Sequence, residues 1–160
     1  MQRVARVLSL AALMVSLSAP AFADITAFIG TTATPTNRAA RGAAIGFGLL
    51  IFGFEFEYAH TSEEPLEAAP SLVTGTGNVL IQTPFAVFGF QPYFTTGGGM
   101  YRESISTRTE THFVANEGGG VKVSLLGPVR ARLDYRIFHL RGEPTHDTVH
   151  RFYAGLNLSF

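Results

Sequence analysis

The chain has 160 residues, carries 12 basic and 12 acidic side chains, and contains no cysteine. So even a balance lacks the basic patch or stripe that a nucleic-acid binder needs. The missing thiols exclude disulfides, thiolate metal sites and thiol nucleophiles.

The chain opens with Arg3 and Arg6, passes through an apolar run at 7–17, and reaches Ala21-Phe22-Ala23 ahead of Asp24. A basic start, a short apolar stretch and an A-x-A site make up a secretory signal peptide, with cleavage expected after Ala23. The run is too short to span a bilayer as a helix. Removing residues 1–23 leaves one domain, 24–160, with 10 basic residues against 12 acidic ones and a net charge of about −2. Beyond the signal no apolar stretch reaches helix-spanning length, so any passage through a membrane is made by strands.

Eight extended segments follow, at about 25–32, 42–50, 51–60, 78–85, 91–103, 111–125, 129–140 and 149–160. The connections at 33–41, 61–77, 104–110 and 141–148 are long and polar or acidic. Those near 50–53, 86–90 and 126–128 are short. Helix competes poorly: no window after the signal carries a clean i, i+3, i+4 stripe, and Pro65 and Pro70 confine any helical turn between them. An even strand count with short turns at one end and longer loops at the other is the pattern of a transmembrane barrel. The expected fold is all-β, an eight-stranded antiparallel up-and-down transmembrane β-barrel.

The strands alternate. Val129, Ala131, Leu133, Tyr135 and Ile137 share one face of segment seven, and Arg130, Arg132, Asp134 and Arg136 share the other. Phe54, Phe56 and Tyr58 oppose Glu55 and Glu57; Val121, Val123 and Leu125 oppose Gly120, Lys122 and Ser124. In segment eight Phe152, Ala154, Leu156, Leu158 and Phe160 are apolar and Arg151 takes the other parity. A membrane barrel sends the apolar set to lipid and the polar set to the lumen; a soluble barrel does the reverse, and periodicity alone suits both. The export signal, the loop asymmetry and the terminal Phe160 favour the membrane. An eight-stranded lumen is narrow enough for side chains to fill. Glu55, Glu57, Lys122, Arg130, Arg132, Asp134, Arg136 and Arg151 are therefore expected to pair across it, since unpaired buried charge is costly. A plug of ion pairs and water is the preferred reading; a gated ion path is the alternative.

Two glycine triplets, 97–99 and 118–120, lack the helix, lysine and hydroxyl of a phosphate loop. Reflection about 108–109 places them opposite each other, where the wall bends or an arginine packs against bare backbone. His60-Thr61-Ser62 sits at an outer rim and offers a weak nucleophile–base pair without a third member. His139, His146 and His150 match no standard metal spacing and are read as solvated rim residues. No catalytic residue, cofactor or metal is assigned. Phe47, Phe52, Phe90, Tyr101, Phe113, Phe138, Phe152 and Phe160 suit aromatic girdles at the two interfaces.

Four stretches carry a family resemblance: Gly53-Phe54-Glu55-Phe56-Glu57-Tyr58, 91–101, Arg132-Leu133-Asp134-Tyr135-Arg136 and the terminal 152–160. With them the chain resembles the small outer-membrane β-barrel family, similar to the transmembrane domain of OmpA and to OmpW-like and OmpX-like proteins. The resemblance spans essentially the whole of 24–160. It implies residence in the outer membrane among its lipids, and insertion by the barrel-assembly machinery. That machinery would recognise the last strand through Phe152, Leu156, Leu158 and Phe160. The expected protein is a monomer and not an enzyme, with a structural or surface-interaction role exerted through its outer loops. A narrow channel is the alternative, and a lipid-modifying barrel enzyme using His60 and Ser62 is a third reading.

Overall fold

The computed structural model describes residues 21–105 and 107–160, so all but the end of the expected signal sequence lies outside it. The strands are β1 (Ala21–Thr32), β2 (Arg38–Leu49), β3 (Phe52–Thr61), β4 (Ser71–Gln82), β5 (Phe90–Ile105), β6 (Arg108–Leu126), β7 (Val129–Leu140) and β8 (Thr148–Ser159). Each pairs antiparallel with the next, and β8 returns to β1 to close the barrel. The closing seam runs from Thr32 opposite Arg151 to Asp24 opposite Ser159. Past it, Ala23 and Phe160 exchange both backbone hydrogen bonds, at 3.0 and 2.9 Å. Closure pairs every strand on both sides and leaves no edge.

The barrel is inside out relative to a soluble protein. Arg132, Arg136 and Arg151 are 0% exposed, while Ile29 is 74% and Phe56 is 63% exposed. Charged residues fill the interior and apolar ones clothe the outer wall, which decides between the two barrels that alternation allows. The same sorting explains where the strand ends depart from expectation. β4 begins at Ser71 rather than near 78, because Thr74, Thr76 and Asn78 are lumen residues and not loop residues. β2 begins at Arg38, whose guanidinium is buried and donates to the carbonyls of Thr34 and Pro70. Polarity marks a loop only when the interior is apolar.

The connections shift accordingly. At the outer end they are 33–37, 62–70, 106–107 and 141–147; at the inner end, 50–51, 83–89 and 127–128. The expected long tip at 104–110 is a tight reversal on a tall hairpin, in which Ser104 pairs Thr109 and Ile105 pairs Arg108. The expected short turn after β4 is a seven-residue segment ending at Gly89. A short 3-10 turn, Pro65–Glu67, occupies the second outer loop between its prolines.

The glycine triplets do not face each other. Gly97, Gly98 and Gly99 oppose Asn116, Ala115 and Val114, because the hairpin reverses at 106–107 rather than at 108–109. Gly118 and Gly120 lie instead beside Arg136 and Asp134 of β7. A Cβ at Gly118 would meet the Tyr135 carbonyl and the Cα and Cγ of Arg136; one at Gly120 would meet the Leu133 carbonyl and the Tyr93 hydroxyl. Bare backbone on the inner wall leaves room for these lumen side chains, as glycine in a strand often does.

Candidate functional site

The lumen is where the strands converge their chemistry. Inward parity on β7 delivers Arg132, Asp134 and Arg136; on β3 it delivers Glu55 and Glu57, and on β8 Arg151 and Tyr153. Arg132 crosses to Glu55, with Nη1 on Oε2 and Nη2 3.2 Å from Oε1. Its Nη2 also donates to Asp134 Oδ2 at 2.8 Å. Arg136 donates through Nη2 to Glu55 Oε1 at 2.7 Å and through Nε to Asp134 Oδ1 at 3.2 Å. Its Nη1 lies 3.3 Å from Glu57 Oε2 without hydrogen-bond geometry. Arg151 Nη1 reaches Glu57 Oε1 at 3.3 Å and both its terminal nitrogens contact Thr74 Oγ1.

Three guanidinium groups thus meet three carboxylates in one connected layer. Two tyrosines complete it. Tyr153 Oη lies 2.8 Å from Asp134 Oδ2 and 3.0 Å from Glu57 Oε2, and Tyr93 donates to Asp134 while accepting from Arg132 Nε at 2.7 Å. The pairing opposes the desolvation of six charges, although Arg136 Nη1 and Arg151 Nε are buried without a hydrogen bond, and removing one partner strands another. Towards the inner end a separate pair forms, Lys122 Nζ to Asp24 Oδ2 at 2.6 Å. Arg130 stands apart from the network: half-buried, it donates to Gln91 Oε1 at 2.9 Å, and Gln91 holds the Thr83 carbonyl at 2.8 Å.

Sequence reasoning missed Tyr93 and Tyr153 as network members and Asp24 as the partner of Lys122. The parity of Arg151 points to Tyr153 two residues on, so that signal was present. Asp24 was hidden because the first strand was expected to begin after it.

A second layer was also missed. On the outer side of the charges, Leu72, Tyr101, Val114, Phe138, Leu140 and Val149 form a buried apolar cluster inside the barrel. Phe138 and Tyr101 were expected in the girdles; they are 0% and 1% exposed and face inward, while Phe47, Phe52, Phe90, Phe113, Phe152 and Phe160 do lie on the outer wall. The Arg151 guanidinium sits 4.3 Å over the Phe138 ring, joining the two layers by a cation–π contact. Tyr101 Oη donates to the Arg141 carbonyl at 2.7 Å, tying the cap to an outer loop. On the inner side, a lumen cavity lined by Asp24, Glu55, Gln82 and Lys122 measures about 10 Å³, roughly one water.

The histidines lie away from this site. His139 Nε2 lies 3.6 Å from Glu117 Oε1 on the outer wall, and His150 Nδ1 lies 2.8 Å from the Tyr135 hydroxyl. Among the described residues no group of three His, Cys, Asp or Glu could hold a metal. No hydrogen bond joins the His60 and Ser62 side chains; the residue between them, Thr61, turns inward to Thr32 Oγ1 at 2.9 Å.

Closed topology, eight strands and an apolar outer wall match solved structures. Neisserial surface protein A superposes with a TM-score of 0.70 at 12% identity, covering 88% of this chain and 97% of that one. The fold is that of a small outer-membrane barrel. The N-terminal β-barrel domain of Pseudomonas aeruginosa OprF follows at a TM-score of 0.65 and 15% identity, covering 87% and 97%. The outer membrane enzyme PagL reaches a TM-score of 0.54 at 13% identity, covering 84% and 98%. No protein-family model matches the chain, and no curated protein matches it by sequence.

Proposed function

We propose that this chain is a non-enzymatic barrel resident in the outer membrane, serving the envelope structurally or through contacts made by its outer loops. The observation that supports this reading most is the closed lumen. A charge layer and an apolar cap stand in series within it. A conduction path needs a continuous polar opening, and the cap of Phe138, Tyr101 and Leu140 interrupts it. The purified barrel is expected to be silent in planar bilayers across voltage and salt; reproducible current steps would overturn the reading.

The similarity to PagL is one of fold and carries no activity across. An enzymatic role through His60 and Ser62 is disfavoured by the lack of a hydrogen bond between them. Mass spectrometry of membrane lipids tests this: an acylation change produced by the wild type and lost in Ser62→Ala would establish the enzyme. The outward alternation of Phe152, Leu156, Leu158 and Phe160 suits recognition by the barrel-assembly machinery. The proposed state is a monomer that binds no nucleic acid and carries no cofactor, with export preceding cleavage after Ala23.

A further inference from the structure

The outer wall of β6 carries a carboxylate among apolar neighbours. From the outer end, its outward-facing residues are Phe113, Ala115, Glu117, Gly119, Val121 and Val123, alternating with the buried Val114, Asn116 and Lys122. Phe113 and its β5 partner Met100 are each 52% exposed and form the outermost apolar rung of this hairpin. Arg102 and Thr111 pair two residues further out and begin the polar rim. Four residues separate Glu117 from Phe113. With a rise of about 3.3 Å per residue and a tilt of about 40°, the Glu117 Cα lies about 10 Å below that rung.

The surroundings supply this carboxylate with no donor. Its partners in register are Thr96 on β5 and Ile137 on β7. Thr96 Oγ1 donates instead to the Asn116 carbonyl at 3.2 Å. His139, two residues nearer the rim on β7, places Nε2 3.6 Å from Glu117 Oε1, an ionic contact without a hydrogen bond. That contact draws the carboxylate towards the outer interface, and the Glu117 side chain stays 55% exposed on the outside of the barrel. Ionisable groups at membrane depth are costly and mark functional sites. An ionised carboxylate only accepts, so what it needs from an occupant is a donor.

The wall beneath is shaped for a chain. Gly119 follows Glu117 on the outward face, and its partner Tyr135 stacks on Phe152 at 4.5 Å between ring centroids. Gly119, Val121, Leu133, Tyr135 and Phe152 help to line a shallow apolar groove of about 560 Å³ on the outer wall.

We infer that Glu117 is the acceptor of a lipid-binding site. It takes a hydrogen bond from an amide N–H or 3-hydroxyl on the first carbons of an acyl chain, in an N-acylated or 3-hydroxyacylated sugar lipid, and the chain lies along the groove below. This rests on the membrane reading of the barrel. Depth selects the class of lipid. The carboxylate is level with the first carbons of the chains, where a glycerophospholipid presents ester carbonyls that only accept, whereas an amide or hydroxyl donates.

The test reconstitutes the barrel in phosphatidylcholine nanodiscs with two synthetic glucosamine lipids as probes. Both are O-acylated and identical except that one carries 3-hydroxymyristoyl chains and the other myristoyl chains. Native mass spectrometry measures the probe retained per barrel. The wild type should hold the hydroxylated probe about tenfold more tightly or better, the discrimination of one hydrogen bond to a charged group. Glu117→Leu should erase the preference, and Glu117→Gln, which keeps a carbonyl acceptor, should retain part of it. Heat-modifiable mobility checks that both variants fold. Equal retention of the two probes by the wild type, or a preference that survives Glu117→Leu, would overturn the site while leaving the membrane reading intact. Wild-type dimers that vanish in Glu117→Leu would assign the carboxylate to a protein contact and overturn it too. Failure of the barrel to enter nanodiscs would instead remove the membrane reading itself.

Discussion

Arg136 on β7 and Glu55 on β3 meet across the full width of the lumen, Nη2 to Oε1 at 2.7 Å, although 81 residues separate them in sequence. Glu55 also holds Arg132, so one carboxylate on one strand serves two guanidinium groups from another. Glu55→Gln keeps the volume and removes the charge. It leaves two buried arginines competing for Asp134 and Glu57, and should cost about 3–5 kcal/mol. Urea unfolding in detergent micelles measures this, and pairing the change with Arg132→Met in a double-mutant cycle should recover part of the loss.

The cap and the charge layer close the lumen in series. Phe138→Ala removes a ring that is 0% exposed and should cost about 3–5 kcal/mol by cavity formation, less whatever water entering from the outer loops restores. Conductance should remain absent in Phe138→Ala, since Arg136, Arg151 and Glu57 still fill the lumen beneath it. Currents should appear only when Phe138→Ala is combined with Arg151→Ala. Current through the single variant would show that the charge layer is no barrier.

Inward and outward glycines should respond oppositely to alanine. Gly120→Ala places a methyl against the Leu133 carbonyl and the Tyr93 hydroxyl, displacing a tyrosine that serves Asp134 and Arg132. It should lower the urea midpoint clearly. Gly75→Ala faces outward with nothing within 4 Å, and removing glycine from a strand should be neutral or stabilising by about 0.5–1 kcal/mol.

Phe160 separates assembly from stability. The β1–β8 pairing up to Asp24 and Ser159 does not depend on its side chain, and its ring, 68% exposed, faces outward. Phe160→Ser should therefore leave heat-modifiable folding in detergent nearly unchanged. The same variant should reduce the amount recovered in the outer membrane of cells, scored by fractionation against the wild type. A large loss of folding in detergent would show that the ring packs structurally.

Alternation made the faces legible: the parities read for β3, β6, β7 and β8, including that of Arg151, are those observed, while Tyr101 and Phe138, expected in the girdles, face inward. Boundaries were harder for a specific reason. In Ser71–Gln82, Thr74, Thr76 and Asn78 are buried yet polar, so the usual link between polarity and loops fails. The cap was illegible because Phe138 continues the parity of Arg132 and Arg136, and its neighbours in space come from β4, β5, β6 and β8, whose register no single segment encodes. Arg130 shares that parity but lies at the mouth, where a charge finds Gln91 and solvent instead of the network.

The seam between β1 and β8, from Thr32 opposite Arg151 to Asp24 opposite Ser159, sets the order of events during folding. It joins the two ends of the barrel sequence, so the contact that closes the sheet has the longest loop to close and the greatest entropic cost. Until β8 arrives, β1 and β7 each offer a bare row of donors and acceptors to any other chain. A barrel of this design is sticky for as long as it is unfinished. The unfinished sheet needs shelter until its final strand can reach its first.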